Sequence, residues 1–470
     1  MKKRVIFLNH GMTIYASMCG IAGAAGKDSE ASVQRMLEAI KHRGPDGTSM
    51  FSLGDITMGN VLLKITGDRS QPIHNSGALT YNGEIYNFRE IAKKRNLRTD
   101  SDSEVLFDMI DSIGIEAVLG EVDGDYAFAF ASDGIIQLAR DPAGVKPLYY
   151  GKSEELFAFA SEKKALSAIG ITEISSLKPG HLLTYCDGRL IEKKVTGFVR
   201  RERITDENLA SDALFNAIEQ GVKKRIYSPC TIAFSGGLDS SLIAALCPEA
   251  ELYSVGMAGS HDIIQTKKAA LLLGMENKLH LQELTVDDVV TALPDVIRAI
   301  ESAKPQKVSI AMPLFFASKN AHDDGHRVML SGQGADELFA GYKRYESLGP
   351  DELENALFCD LDNIAKNNLE RDDAASMANA VELRVPYLDR EVVELALSIA
   401  PELKIKNGIR KHILRLAARK SLPDELAFKE KKATQYSSGI YSAIEKLARK
   451  NGFKGEHAAG RYLESIKESL

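Results

Sequence analysis

Three short stretches carry residue types that can do chemistry. "SMCGIAGAAG", residues 17–26, sets Cys19 before Gly-Ile and a run of small residues, as expected for a nucleophilic thiol on a tight turn. Cys19 lies eighteen residues into the chain, so its own α-amine is tied up in a peptide bond. Either the cysteine is structural or this is not the working start of the chain. "AFSGGLDSS", residues 233–241, follows a buried apolar run and opens a helical one. Its glycines let backbone N–H groups approach an anion closely, and the helix N-terminus adds donors and partial positive charge. Ser235, Ser240 and Ser241 can donate hydroxyls, and Asp239 can hold Mg²⁺ against phosphate oxygens. The stretch lacks the lysine of the Gly-x-x-x-x-Gly-Lys phosphate loop. "VMLSGQGADELFAGY", residues 328–342, repeats the construction, with Ser331 and Gly332 at its head and Asp336 and Glu337 able to bind Mg²⁺ or handle protons. Two such loops, both at strand ends, specify a nucleotide site better than either does alone.

These loops need strands and helices behind them. Residues 19 to about 190 are rich in short β-type runs ("ALTYNGEIYNF", "GDYAFAFAS", "IIQLARD", "PLYYG", "LFAFAS") separated by Gly, Asp and Pro turns. Helical stretches near 29–41 and 102–113 interrupt them. The mixture predicts an α+β layered sandwich. Residues 194–208, "KVTGFVRRERITDEN", are charged and aperiodic and read as a linker. Beyond it strand and helix alternate: "CTIAF", "SSLIAALC", "LYSVGM", "IIQTKKAALLLG", "HRVMLSG". That pattern predicts an α/β domain with a parallel sheet and added helices, whose ligands bind beyond the carboxyl ends of the strands at a switch point. The expected division is an extension at 1–18, a first domain at 19–193, the linker, and a second domain at 209–470.

Composition narrows the function. A chain of 470 residues is too long for one ordinary core, which agrees with two domains. A net charge of −6 gives no electrostatic reason to bind nucleic acid or an acidic membrane. The basic clusters Lys223, Lys224, Arg225 and Lys429, Lys431, Lys432 read as solvated faces. Five cysteines without metal-ligand spacing fit a reduced cytoplasm and show no zinc site. No run approaches the roughly 20 apolar residues of a membrane span. The start "MKKRVIFLNHGMTIYAS" has a basic end and a short apolar run, but Asn9, His10 and Gly11 interrupt it, which argues against a signal peptide.

"SGGLDSS" between strand and helix resembles the pyrophosphate loop of the N-type ATP pyrophosphatases, which turn a carboxylate into an acyl-adenylate. In the first domain, "CGIAG" is followed by "HRGPDG" (42–47), "YNGEIYN" (81–87), "SDSE" (101–104), "GDYAFAF" (124–130) and "ARDPAGVKPLYY" (139–150). In this order they resemble class II glutamine amidotransferases, the N-terminal-nucleophile type. With "SVGMAGSHD" (254–262), "SMANAVELRVPYLD" (376–389) and "KHILR" (411–415) behind them, the chain from Cys19 onward is similar to the glutamine-hydrolysing asparagine synthetases over roughly 450 residues.

The resemblance implies the following. Cys19 is the mature N-terminus, its free amine the general base for its thiol. Translation starts at Met18 with the methionine removed, or a propeptide is cleaved. Asn82 and Gly83 form the oxyanion hole. Glu84 and Asp102 hold the α-amino group of glutamine. Ammonia travels inside the protein to the second site. There Ser235, Gly236, Gly237, Asp239, Ser240, Ser331 and Gly332 hold ATP and pyrophosphate. Asp239 and Asp336 bind Mg²⁺, and Asp262 lines the nucleotide pocket. Lys432, or Lys431 if a gap falls there, contacts phosphates. Aspartate, glutamine and ATP are the implied substrates, with a homodimer as the expected assembly.

Three positions depart from the family pattern. Leu62 occupies the place of an arginine that clamps the glutamine α-carboxylate, with Lys64 or Arg69 nearby as substitutes. Gln333 replaces a glutamate and cannot accept a proton, so any role as general base either moves elsewhere, Glu337 being the first candidate, or is unnecessary. Ser309 sits where an arginine is usual. Other readings therefore stay open: a related amide or lactam synthetase acting on another carboxylate, an ammonia-preferring synthetase with weak glutaminase activity, or a binding protein with a dead glutaminase. Intact Cys19, Asn82, Gly83, Glu84 and both loops count against the last.

Overall fold

The computed structural model describes residues 17–65, 71–227, 229–429 and 438–470, with side chains from residue 20 onward. Twelve strands build the first half as two six-stranded antiparallel sheets. One runs β10-β8-β9-β1-β3-β2 and the other β12-β11-β7-β6-β5-β4. Their ranges are β1 Ser17–Gly26, β2 Gly47–Leu53, β3 Ile56–Lys64, β4 Ile73–His74, β5 Ala78–Ile85, β6 Gly124–Ser132, β7 Ile135–Arg140, β8 Tyr149–Lys152, β9 Leu156–Ala160, β10 Ile174–Ser176, β11 His181–Cys186 and β12 Arg189–Lys194. Alternation along each strand sends one set of side chains inward. Ile21 and Met58 of the first sheet meet Ala127, Ala129 and Leu138 of the second. The small alanines let the sheets close on one another. Thr80 Oγ1 donates to Gly59 O at 3.2 Å across that seam.

Helices cover both outer faces, giving four layers. Helices α1 (Ser29–Ala39) and α5 (Lys163–Ser167) pack Val33, Met36 and Leu166 on the first sheet. On the second sheet α2 (Phe88–Arg95), α3 (Asp102–Ile113) and α4 (Ile115–Glu121) bury Ile91, Leu106 and Val118. The layered sandwich and the helices at 29–41 and 102–113 agree with expectation. The run read as β-type through Phe88 instead turns after Ile85 into α2, because Asn87 ends the strand: its side chain bonds Asp123 N and Glu121 O.

After Lys194 no regular element forms until α6 (Glu207–Arg225), started by Asp206, whose carboxylate accepts Leu209 N at 2.7 Å. A five-stranded sheet follows, ordered β15-β14-β13-β16-β17, with every pairing parallel. The strands are β13 Thr231–Ala233, β14 Glu251–Met257, β15 Leu279–Leu284, β16 Val328–Leu330 and β17 Glu382–Arg384. Successive residues face opposite sides. Leu252 and Leu330 join one core with α7 (Leu238–Leu246), and Tyr253 and Met329 join the other with α9 (Val286–Ile300) and α10 (Pro305–Asp323). Burial on both faces explains why β13, β14 and β16 read as apolar runs, whereas β15, at the sheet edge, is partly exposed and mixed in polarity. The sheet order reverses between β13 and β16, whose exits are the two Gly-rich loops.

Candidate functional site

A cleft of about 270 Å³ opens at that reversal. Ser235, Gly236, Gly237, Asp239 and Ser240 line it from the first loop, and Ser331, Gly332 and Asp336 from the second. Asp262, at the head of α8 (His261–Leu273), lines it as well. Gly236 has φ +65°, and a Cβ there would stand 2.8 Å from Gln265 O and Thr266 Cα. Only glycine lets the loop lie so close to α8. Ser240 Oγ lies 3.2 Å from Ser235 Oγ and 3.3 Å from Ser235 N, which folds the loop over the start of α7.

Lys411 joins the two loops. Its buried ammonium donates to both carboxylate oxygens of Asp239 at 2.7 Å and lies 2.7 Å from Asp336 Oδ1. Burial disfavours the ammonium, but the two carboxylates outweigh it and hold the Lys411 pKa above its ordinary value. Gly341 makes room: a Cβ there would stand 1.8 Å from Asp336 Oδ1 and 2.4 Å from Lys411 Cε. Beside it Lys429 donates to Gly236 O at 3.1 Å, its carbonyl held by Arg415 Nη1 at 2.8 Å. The donor set of Asp239 and Asp336 is oxygen only, facing a space built for an anion. Among the described residues no three His, Cys, Asp or Glu gather as a metal group. Two carboxylates without a protein cage suit Mg²⁺, which completes its shell with water and substrate phosphates.

In the first half, Cys19 lies on β1 opposite Leu62 of β3, and Asn82 and Gly83 lie on β5 opposite Ala127 and Tyr126 of β6. β1 and β5 pack against each other across the sandwich. Asp102, the first residue of α3, is buried and accepts Tyr81 OH at 2.7 Å and Ile85 N at 3.1 Å. Burial pushes its carboxyl up to about 6 against those bonds.

Residues 18–198 match the glutamine amidotransferase domain family, and residues 213–349 and 346–463 match asparagine synthase. The chain belongs to the asparagine synthase family. It is 36% identical to a putative glutamine-hydrolysing asparagine synthetase 1 of Methanocaldococcus jannaschii, over 96% of this chain and 99% of that protein. It is 31% identical to the glutamine-hydrolysing asparagine synthetase 2 of Arabidopsis thaliana, over 92% and 80%. A probable glutamine-hydrolysing asparagine synthetase of Acanthamoeba polyphaga mimivirus shares 30%, over 92% and 87%.

Within this asparagine synthase chain the cleft gathers Ser235, Gly236, Gly237, Asp239, Ser240, Asp262, Ser331, Gly332 and Asp336, whereas Ser241 and Glu337 are buried outside it; the remaining sequence candidate is Lys432. That residue, with Lys431 and Arg69, lies outside the described residues. Ser309 is buried in α10, its hydroxyl donating to Gln306 O at 3.0 Å, and it does not line the cleft. Lys64 lies two residues beyond Leu62 on β3 and is exposed on the same face.

Glu84 has a partner no local pattern announces. Its carboxylate pairs with the buried Arg384 of β17, from the second half. Arg384 also holds Glu382, with Nε 3.1 Å from Oε1, and its carbonyl accepts Ser331 N at 2.9 Å. One residue thus touches Glu84 by its side chain and the second Gly-rich loop by its backbone. Burial pushes the Glu84 carboxyl up to about 7, opposed by Arg384 and reinforced by Glu382 and Asp102. Lys411, Arg384 and Gly341 were missed as functional positions, although "KHILR", "VELRVPYLD" and "ELFAGY" contain them.

Proposed function

We propose that this chain makes asparagine from aspartate, ATP and glutamine, in two coupled reactions. The observation that carries the reading is the pair of carboxylates, Asp239 and Asp336, held by Lys411 between two Gly-rich loops at a parallel-sheet reversal. Such a site suits a triphosphate whose charge moves onto pyrophosphate as it leaves. The loop N–H groups and Ser235 and Ser240 would bind its oxygens, with Lys411 and Lys429 close enough to follow the charge. Mg²⁺, held by Asp239 and Asp336, would neutralise the phosphates. The β-carboxylate of aspartate would become a mixed anhydride with AMP, which ammonia can displace.

In the first half Cys19 would attack the glutamine amide, with the oxyanion stabilised from Asn82 and Gly83 and the substrate amine held by Glu84 and Asp102. A free α-amine on Cys19 is the base this requires, so residues 1–18 would be absent from the working form. The proposed division remains a glutaminase part at 19–193, a connector at 194–208 and a synthetase part at 209–470. The reading also places the protein in the cytoplasm as a homodimer. Among the described residues no helix is long and apolar enough to cross a membrane.

The test uses protein beginning at Cys19, given ATP, Mg²⁺ and aspartate with either glutamine or ammonia, while pyrophosphate and asparagine are followed together. Asparagine from both donors is expected. Cys19→Ala should abolish the glutamine-dependent reaction and spare the ammonia-dependent one. Loss of both in a folded variant would refute the two-site account, and pyrophosphate without asparagine would point to another acceptor.

A further inference from the structure

The reaction proposed above must dispose of a proton. As ammonia attacks the acyl carbon a C–N bond forms. The C–O bond to AMP then breaks, AMP leaves with the electron pair, and the nitrogen sheds one N–H proton. The acceptor has to stand in the cleft, and residue 333, a glutamine, cannot serve.

Glu337 faces elsewhere. Its buried carboxylate accepts Asn368 Nδ2 at 2.7 Å and the Tyr342 hydroxyl, and it does not line the cleft. Asp239 and Asp336 share Lys411 and are the proposed Mg²⁺ ligands. Asp262 lines the cleft on α8, 3.9 Å from His261. Among the described residues, Asp372 is the remaining acid on the wall. It sits on the helix Glu370–Met377, its Oδ2 accepting Gln333 Nε2 at 2.5 Å and its Oδ1 accepting Arg371 Nε at 2.7 Å. Its neighbour Asp373 reaches Arg43 of the first half at 2.7 Å, and Glu370 reaches Arg140 at 3.2 Å. The same short helix therefore faces the ATP cleft and the glutaminase half, the direction from which ammonia comes.

We propose that Asp372, oriented by Gln333 and Arg371, accepts the proton that the attacking nitrogen releases. The inference rests on the synthetase reading. Its charged neighbours are Arg371 and Asp373 on its own helix and Lys307 on α10. Burial raises its pKa, more than Arg371 and Lys307 lower it, which makes it a stronger base than a solvated aspartate.

Two assays separate the steps: aspartate-dependent exchange of pyrophosphate into ATP, which reads adenylation, and asparagine formation from ammonium, plotted against free ammonia over pH. Asp372→Asn should keep exchange and lose about 10²–10⁴-fold in asparagine formation, with the acid limb of the wild-type profile gone. Asp372→Glu should recover part of the rate. Gln333→Leu, which removes only the orienting bond, should lower synthesis and spare exchange. It supplies the same comparison if Asp372→Asn does not fold. Wild-type synthesis in Asp372→Asn, or equal loss of exchange and synthesis in both variants, overturns the assignment. Absence of aspartate-dependent exchange in the wild type overturns the synthetase reading and this one with it.

Discussion

Replacing Arg384 with methionine tests how the two halves are held together. The guanidinium is buried and faces two buried carboxylates, Glu84 and Glu382. Methionine keeps much of the volume and removes the charge. Glu382 retains Lys146 Nζ at 3.4 Å, so the stranded charge is chiefly that of Glu84. Removing one member of a buried pair costs about 3–5 kcal/mol, or on the order of 10 °C in melting temperature. Glu84 can relieve part of this by taking up a proton. Its folded pKa of about 7 already lies above the ordinary 4.5, so the native state binds more protons than the unfolded one. Its contribution to stability therefore falls as pH rises from 4.5 to about 7 in the wild type. Without Arg384 that window extends upward, and the deficit of the variant should grow by about 1.4 kcal/mol per pH unit above 7 until Glu84 ionises.

Denaturant and thermal unfolding at pH 7, 8 and 9 measure the deficit. Steady-state kinetics with each nitrogen donor locate its effect. The variant should lose glutamine-dependent synthesis, through KM for glutamine, more than ammonia-dependent synthesis. The reason is that the side chain acts on Glu84, whereas the bond to Ser331 N comes from the backbone and survives. A deficit below about 1 kcal/mol that does not change with pH, or equal loss with both donors, would refute the reasoning.

Two further substitutions probe the cleft. Lys411→Met removes the cation shared by Asp239 and Asp336 and should lower aspartate-dependent pyrophosphate exchange by about 10²–10³-fold, leaving glutamine hydrolysis near wild type. Unchanged exchange would remove Lys411 from the site. Gly341→Ala forces a methyl group to within 1.8 Å of Asp336 Oδ1. It should destabilise by about 1–3 kcal/mol and impair exchange, because Asp336 or Lys411 must shift. Normal exchange kinetics with a normal melting temperature would show that the loop has slack.

Sequence showed most clearly what is local. The Gly-rich loops could be placed because the strand before, the glycines and the helix after lie within ten residues, and Gly236 sits where only glycine fits. The layered sandwich was legible from short alternating runs, whereas α2 went unread: its first residue, Phe88, closed one of those runs, and its eight residues are too few to show a clear helical period. Asp372 and Asp373 stayed invisible for another reason. "NNLERDDAASM" reads as a charged helix face, yet both acids are buried. Their partners, Gln333 and Arg43, lie 39 and 330 residues away. Lys411 stands in "KHILR", where nothing near it in the chain announces two carboxylates. Burial of a charge is set by partners distant in sequence, which leave no periodic trace.

That pattern explains how the halves are registered. Arg43 with Asp373, Arg140 with Glu370, Lys146 with Glu382, Arg225 with Asp125 and Arg384 with Glu84 each place one member on either side of the linker. Apolar contact crosses the same boundary as well: Leu63 and Ile65 of the first half meet Val328, Met377 and Ala380 of the second, and Ala143 and Val145 join the core of the second half. Apolar surfaces tolerate sliding, because hydrophobic attraction has no direction. Buried ion pairs do not, since a displacement of a few ångströms leaves desolvated charges uncompensated on both sides. Four of these pairs use residues on the helix Glu370–Met377 or on β17, the elements that also carry Asp372 and the carbonyl holding Ser331. An interface tied at those points fixes Glu84 and the second Gly-rich loop relative to one another. The proposed transfer of ammonia between the two reactions requires that fixed relation, and a purely apolar interface of the same size would not provide it.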